Sequence, residues 1–349
     1  MIDILAANAE KTEQQDRPTA ESLQAVRAAG VFALGTPAAY GGTGASATHA
    51  ARTLAEVGRG CPSTAWIAGT TLTSKVLSAV AVDLPEATRR ELFADPDAIF
   101  CGSGLPTGSG ESGPDGVRVT GRWANVSGCE DAAWAGLGAI VDGRFSLVQI
   151  PMADLSIEST WHMAGMRGTG SHTVVADNLL VPAGRVGALR LPADLGTMQL
   201  FAISVLAPVV GATFGALDVI TAMFASDRKP YMTAYTSMGE SPGARHWLAE
   251  ATTLAQRAER TMLSVAATID AGTELTALDG SRLHLNLTEA ARDCRAAVER
   301  MLDLHGASGF RISNPLQRFW RDVAVGSRHP HLNGYLAMEG YGKTLTGVA

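Results

Sequence analysis

Charge is scarce in this chain. Only 18% of the 349 residues are charged, and 28 Lys and Arg against 34 Asp and Glu leave a net charge of −6. No stretch concentrates the basic residues, which excludes the electrostatic footprint of a nucleic-acid binder. Cysteine is rarer: Cys61, Cys101, Cys129 and Cys294 stand apart with no CxxC pair. That spacing excludes a disulfide framework and a zinc site, and predicts reduced thiols in the cytoplasm. His49, His246, His284, His305 and His331 show no ligand spacing, so no metal is expected. The N-terminus carries acidic residues and lacks the basic-then-apolar pattern of a secretory leader, so none is expected. There is no internal repeat and no low-complexity tract. Aromatics are sparse while Ala and Gly are abundant, a balance that favours closely packed helices.

Long apolar runs are also missing, with one exception. Met198–Ala225 is nearly all apolar and long enough to span a bilayer. Pro208 and Asp218 interrupt it, and the central helix of a bundle has the same composition. A buried core helix is predicted, and no membrane partner.

What is present divides by period. The length suits two or three domains. Residues 1–96 read as a helical domain: Thr19–Ala29 ends at Gly30, Ala47–Val57 is amphipathic, and Pro62 opens a helix through Trp66 and Leu72. Residues 97–190 read as a β-domain, a small barrel or sandwich. Its predicted strands are Ile99–Ser103, Val117–Val126, Ala135–Val141, Phe145–Ile150, Ser156–Thr160 and Thr173–Val181. Residues 191–349 read as an antiparallel four-helix bundle. Its helices are Met198–Ala225, Ala244–Ala271, Ser281–His305, and a fourth over Leu316–Arg328 and Leu332–Thr346 interrupted at Pro330. The polar, Gly- and Pro-bearing segment Arg228–Gly243 is predicted to be a mobile loop.

The stretch Gly306–Gly342 holds two patterns. Gly306 to Phe310 is a Gly-x-x-Gly-aromatic turn closing a long helix. Arg321-Asp322 is followed by His329 seven residues after the Asp, about two helical turns, which would place both on one face. These residues suit a cleft. They equally suit a structural ion pair and a histidine at a helix terminus.

Several segments together carry a resemblance. They are GTPAAYGG (35–42), GCPSTAW (60–66), FCGSGLPTGSG (100–110), VTGRWANVSGCEDAAW (119–134), TWHMAGMRGTGSHTVVADNLLVP (160–182) and the Gly306–His329 stretch. In this order the chain resembles the acyl-CoA dehydrogenase superfamily. The resemblance implies a mainly α fold with a central β-domain and a C-terminal four-helix bundle. It is nearest the two-component, reduced-flavin-dependent monooxygenases, the group containing the oxygenase component of 4-hydroxyphenylacetate hydroxylase. Dehydrogenases place a catalytic Glu about eight residues after an Arg-Asp-Ala; here stands Arg328-His329-Pro330, and Arg-Asp-x6-His is the monooxygenase spacing. The dehydrogenases' Arg-x-x-Phe-Gly, which helps hold FAD, is replaced here by DRKPYMTAYTSMGE (227–240).

The resemblance implies reduced FMN or FAD from a separate flavin reductase. Dioxygen then reacts through a C4a-hydroperoxide to hydroxylate an aromatic or polyketide-like small molecule. Ser127 takes the position of the family's hydroxyl near flavin N5, and His329 that of an acid–base group near neutrality. Ser103, Gly104 and Leu105 match the segment over the isoalloxazine edge, with Gly108 and Ser109 following towards the phosphate. Gly128, Arg167, Thr169 and Ser171 match further flavin-lining positions. Gly306 and Gly309 match a turn that approaches a neighbouring subunit's flavin, which implies a homotetramer. Asp131 stands where family members often carry His. His162 and His172 are expected to be exposed, and Trp66 and Trp123 to be core residues. Two other functions remain open: an acyl-thioester dehydrogenase or oxidase with Glu339 as relocated base, and a non-catalytic descendant that only assembles with a partner.

Overall fold

The computed structural model describes residues 1–190 and 194–347. Its first helices start where their caps dictate. α1 (Ile2–Gln14) precedes α2 (Ala20–Ala28), whose first turn is capped by the Thr19 hydroxyl accepting from Ser22 N–H. Ser46 caps α3 (Ala47–Gly60) in the same way, and Pro62 occupies the first turn of α4 (Pro62–Val76). A short α5 (Glu86–Leu92) leads to the sheet.

Seven strands follow: β1 (Phe100–Gly113), β2 (Gly116–Val126), β3 (Trp134–Val141), β4 (Arg144–Pro151), β5 (Ser156–Glu158), β6 (His172–Val181) and β7 (Val186–Ala188). They make one sheet in the order β5-β6-β2-β1-β3-β4-β7, with β1 and β3 parallel and the other pairs antiparallel. β1 is much longer than the predicted Ile99–Ser103. The glycines beyond Ser103 resemble turn punctuation in the sequence, but here Gly108 lies within the strand and, with Gly121 of β2, makes room for Trp123. A Cβ on Gly108 would sit 2.3 Å from the Trp123 ring, and one on Gly121 2.5 Å from it. Trp123 is fully buried, and its indole N–H donates to Gly138 O at 2.7 Å.

Helices return with α6 (Leu195–Ala225), α7 (Pro242–Asp270), α8 (Ala277–His305), α9 (Pro315–Gly326) and α10 (Gly334–Thr346). The domain boundary expected at 190/191 falls at residues 191–193, outside the described ones. α6 is the long apolar run, and 83% of its most apolar window is buried, as a core helix requires. One apolar core joins it to α3 and α4 as well as to α7, α8 and α9. The helices before and after the sheet therefore share one interior.

Small residues set how closely α6 is approached. Pro208 has no N–H, so the carbonyl of Ser204, four residues earlier, loses its helical partner. The bare Cα of Gly69 on α4 lies against that carbonyl; a Cβ there would be 2.1 Å from Ser204 O. Gly211 meets Ala55 O of α3 with the same tightness, at 2.0 Å for an added Cβ. Gly69→Ala is therefore expected to force α4 and α6 apart and to cost about 1–3 kcal/mol of stability. Urea unfolding checks this, and an unchanged midpoint would show that the helices part freely.

One expectation is corrected at the C-terminal end. Asp322 and His329 do not share a helix, because α9 ends at Gly326 and the chain turns before Pro330. The residue before a proline is biased away from helical geometry, and His329 is extended at φ −56°, ψ 146°. Arg228–Gly243 is pinned at Arg228, whose guanidinium donates to His305 O and Ser308 Oγ, and at the buried Met238. Between these two anchors residues 231–236 are exposed, Tyr231 and Met232 most of all.

Candidate active site

Hydroxyls from two strand ends meet under α4. Ser127 follows β2, and Thr169 and Ser171 precede β6, its antiparallel neighbour. Ser127 Oγ and Ser171 Oγ lie 2.7 Å apart, as do Ser171 Oγ and Thr169 Oγ1. Gly128 N–H donates to Thr169 O at 2.8 Å, which ties the two strand ends together. Gly128 has φ +71° and lies under Ile67 of α4, so a side chain there is excluded both by the turn and by the helix. One turn earlier than the glycine contact with α6, Trp66 of α4 donates its indole N–H to Ser127 Oγ at 3.2 Å. Ser127, Trp66, Thr169 and Ser171 are all buried.

The segment carrying Thr169 is clamped from the bundle. Met166 is buried with a left-handed backbone, φ 53°, and its N–H donates to Asp322 Oδ1 at 2.5 Å. Gly165 lies so close that a Cβ would be 2.2 Å from Arg321 O. Arg321 and Asp322 do not pair with each other: the Arg321 guanidinium reaches Glu13 of α1 and Ala164 O. Burial pushes the Asp322 carboxyl up to about 6, against the pull of the Met166 N–H.

His329 reaches the same place from beyond α9. Its ring stands edge-on to Trp66, with centroids 5.4 Å apart at 72°. Its Nδ1 accepts the His331 N–H at 3.3 Å, which leaves Nε2 as the protonated nitrogen of the neutral ring. Burial, then the neighbouring His331, pushes its pKa down to about 4. At pH 7 this histidine is a neutral hydrogen-bond donor. That shift disfavours the base near neutrality that the resemblance implies. Among the described residues, no group of the chain pairs with Nε2.

The other predicted positions separate into those near this cluster and those away from it. Ser103, Gly104 and Leu105 lie at the Ser127 end of the sheet, because the β1–β2 register at Gly108↔Gly121 runs towards Val126. Residues 104–107 have no partner in either ladder, and Leu105 is 66% exposed. Gly108 and Ser109 are three to six residues further along β1, about 10–20 Å at the usual rise per residue. Gly108 is accounted for by the Trp123 ring. Arg167 pairs with Asp16 at 2.8 Å, on the α1 side of the turn. Gly306 and Gly309 close α8 at His305. His284, on the same helix, donates its Nε2–H to His331 O at 2.9 Å. Twenty-one residues of helix, about 30 Å, separate those two ends, so the turn and His329 are far apart within one chain. Glu339 is exposed on α10 and touches none of these groups.

Residues 3–82 match the acyl-CoA dehydrogenase N-terminal domain, and residues 203–334 match the C-terminal domain of the same enzymes. The chain belongs to the acyl-CoA dehydrogenase superfamily. Within it, the chain is 30% identical to a pigment production hydroxylase of Rhodococcus sp. (strain ATCC 21145), over 98% of this chain and 93% of that one. It is 29% identical to the oxygenase component of the FADH2-dependent resorcinol hydroxylase of Rhizobium sp. (strain MTP-10005), over 95% of this chain and 89% of the relative. Among solved structures it superposes on XiaF from Streptomyces sp. in complex with FADH2 and glycerol. The TM-score is 0.92 with 27% identity, covering 100% of this chain and 93% of that one. These relatives place it in the two-component flavin monooxygenase branch of the superfamily.

The residues of this superfamily member fit a flavin. A flat polar ring needs hydrogen-bonding groups along its edge, and the unladdered backbone of residues 104–107 offers them beside Ser127. Gly104 has nothing within 4 Å of where a Cβ would be, so its backbone is open to close approach. Three contributors were not evident in the sequence. Trp66 is buried as expected, yet its indole N–H also serves the cluster. His172 is buried instead of exposed, with Nδ1 accepting from Thr160 and Trp161 N–H at 3.2 Å each. Asp131 is held by a bidentate pair with Arg17 and so acts as a clamp between the chain after α1 and the sheet. Only its substitution for the family's His signals that role.

Proposed function

We propose that this chain is an oxygenase component that takes reduced FMN or FAD from a separate reductase, with dioxygen, and hydroxylates an aromatic small molecule in the cytoplasm. The observation that supports this most is the convergence of Ser127, Trp66 and His329 from the sheet, the N-terminal helices and the chain after α9. Reduced flavin, when bound, would supply the two electrons that activate dioxygen, one oxygen atom of which goes to the substrate and the other to water. Ser127 would hold the ring at N5 through its free lone pair, and the backbone of 104–107 would orient its edge. The buried Trp66 and Met166 keep water from the Ser127 side. His329 holds a proton at Nε2 and donates a hydrogen bond in the cleft. Assembly into a homotetramer is supported by the exposed Phe310, Ile312, Tyr335 and Leu336, and by the distance of the Gly306 turn from its own chain's His329.

Anaerobic titration with oxidised and reduced FMN and FAD, followed by oxygen and a panel of phenols, tests the proposal. Reduced flavin should bind more tightly, and a phenol should be hydroxylated. Reduction of a tightly held oxidised flavin by an acyl thioester would replace this function with the dehydrogenase one. Ser127→Ala removes one hydrogen bond, worth about 1 kcal/mol. Peroxide released per flavin oxidised is expected to rise severalfold in that variant; an unchanged yield would remove Ser127 from the site.

A further inference from the structure

The hydroxyl chain at Ser127 has a direction. The Trp66 indole N–H can only donate, and the Met166 carbonyl can only accept. Between them stand three hydroxyls with one proton each. The steps are 3.2 Å from Trp66 to Ser127, 2.7 Å to Ser171, 2.7 Å to Thr169 and 2.8 Å to Met166 O. Thr169 gives its proton to Met166 O. Ser171 must then give its proton to Thr169, and Ser127 must give its own to Ser171. All four bonds form together in that polarity alone. Ser127 has no proton left to offer and one lone pair unused.

We propose that this fixed polarity makes Ser127 an acceptor-only contact that favours reduced over oxidised flavin, with Thr169 as the positioning residue that sets the preference. The inference rests on the flavin function proposed above. The reduced ring carries a hydrogen at N5 and donates; the oxidised ring presents a bare N5 and can only accept. An acceptor-only Ser127 matches the first and opposes the second. To serve the oxidised ring the whole chain must reverse: the Ser127 proton turns outward, Ser171 donates to Ser127, and Thr169 donates to Ser171. The Thr169 bond to Met166 O is then lost. Met166 O keeps the Trp161 indole N–H at 2.9 Å, so reversal costs one hydrogen bond. Thr169 is 1% exposed, which leaves no bulk water to replace it. One hydrogen bond corresponds to roughly a three- to tenfold difference in affinity.

Thr169→Val keeps the side-chain shape and removes the hydroxyl. Ser171 then has only Ser127 as partner, and the two polarities become equivalent. Parent, Thr169→Val and Thr169→Ser are compared by anaerobic equilibrium titration of the full chain with oxidised and dithionite-reduced FMN and FAD. In Thr169→Val, oxidised flavin should bind roughly three- to tenfold more tightly than in the parent, while reduced flavin binds as before. Thr169→Ser should behave as the parent. Ser171→Ala, which frees Ser127 from the chain by another route, should lose the preference as Thr169→Val does. Equal weakening of both redox forms would show a merely structural threonine and overturn the inference, as would an unchanged ratio. A parent that binds neither form would overturn the flavin function itself.

Discussion

His329→Ala is expected to lower hydroxylation roughly 100-fold, the scale of a single positioned proton donor or acceptor. The surroundings of the ring favour the donor. Nδ1 is taken by the His331 N–H, and the ring stays neutral down to about pH 4. A neutral donor gives activity that is flat from pH 8 to about pH 5; a base would give an acid limb near the ordinary histidine pKa of about 6.5. His329→Gln separates the roles further, because an amide N–H restores a donor and not a base. Substantial rescue by Gln, with a flat profile, supports the donor; Gln as poor as Ala, with a limb near 6.5, would restore the base. Stability should respond too. The folded pKa lies below the unfolded one, so His329 costs stability as pH falls from about 6.5 to about 4, by about 3 kcal/mol at most. Asp322 acts oppositely: its carboxyl is raised to about 6, so folding is favoured as pH falls from about 6 towards 3.8. His329→Gln removes the first of these two contributions and should gain stability relative to the parent on acidification.

The elements were more legible than their junctions. Alternating strands and capped helices follow local rules, and the hydroxyls Ser127, Thr169 and Ser171 are brought together as the family motifs imply. His329 leaves the face of Asp322 because a seven-residue offset keeps one face only in a continuous helix, and Pro330 ends that possibility. β1 runs past its predicted end because Gly108, which reads as a turn glycine, serves Trp123 fifteen residues further on, and a packing requirement at that distance leaves no local pattern. His172 stands between the polar Ser171 and Thr173, as an exposed residue would, but its ring accepts the N–H groups of Thr160 and Trp161. Arg167 illustrates the reverse case. Its place in GMRGTGS suits a ligand, and here its Nε donates to Asp16 on the α1 side. A motif fixes where the backbone goes, while the partner of a long side chain depends on what the fold brings alongside it.

Lys75 was not singled out in the sequence, and its loss is expected to have the largest effect on folding. It lies on α4 with no solvent exposure, and its ammonium donates to Phe32 O at 2.8 Å, Thr36 Oγ1 at 3.0 Å and Pro96 O at 2.7 Å. These acceptors belong to the segment after α2 and to the approach to β1, so one side chain holds three parts of the chain together. The Phe100 ring lies 5.3 Å from the charge. Lys75→Ala leaves Phe32 O without a donor and opens a cavity the length of the side chain. The expected cost is about 3–5 kcal/mol, read as a fall in the urea midpoint. Lys75→Met fills most of the space and isolates the polar contribution. Pro96 O keeps the Thr36 hydroxyl at 2.7 Å, and Phe32 O is the carbonyl left orphaned, a cost of about 1–3 kcal/mol. Removing a buried charge offsets part of this, and pH exposes that part. Burial pushes the Lys75 pKa down to about 8 from an ordinary value near 10.5. Between those values the unfolded chain keeps the proton and the folded one has released it, so the parent gains stability as pH rises from 8 to 10.5, by about 3 kcal/mol at most. The methionine variant lacks the group and should lack that gain, so the parent's advantage over it should be smallest below pH 8 and widen above. An advantage that does not change with pH would mean that Lys75 is as easily charged inside the protein as in water.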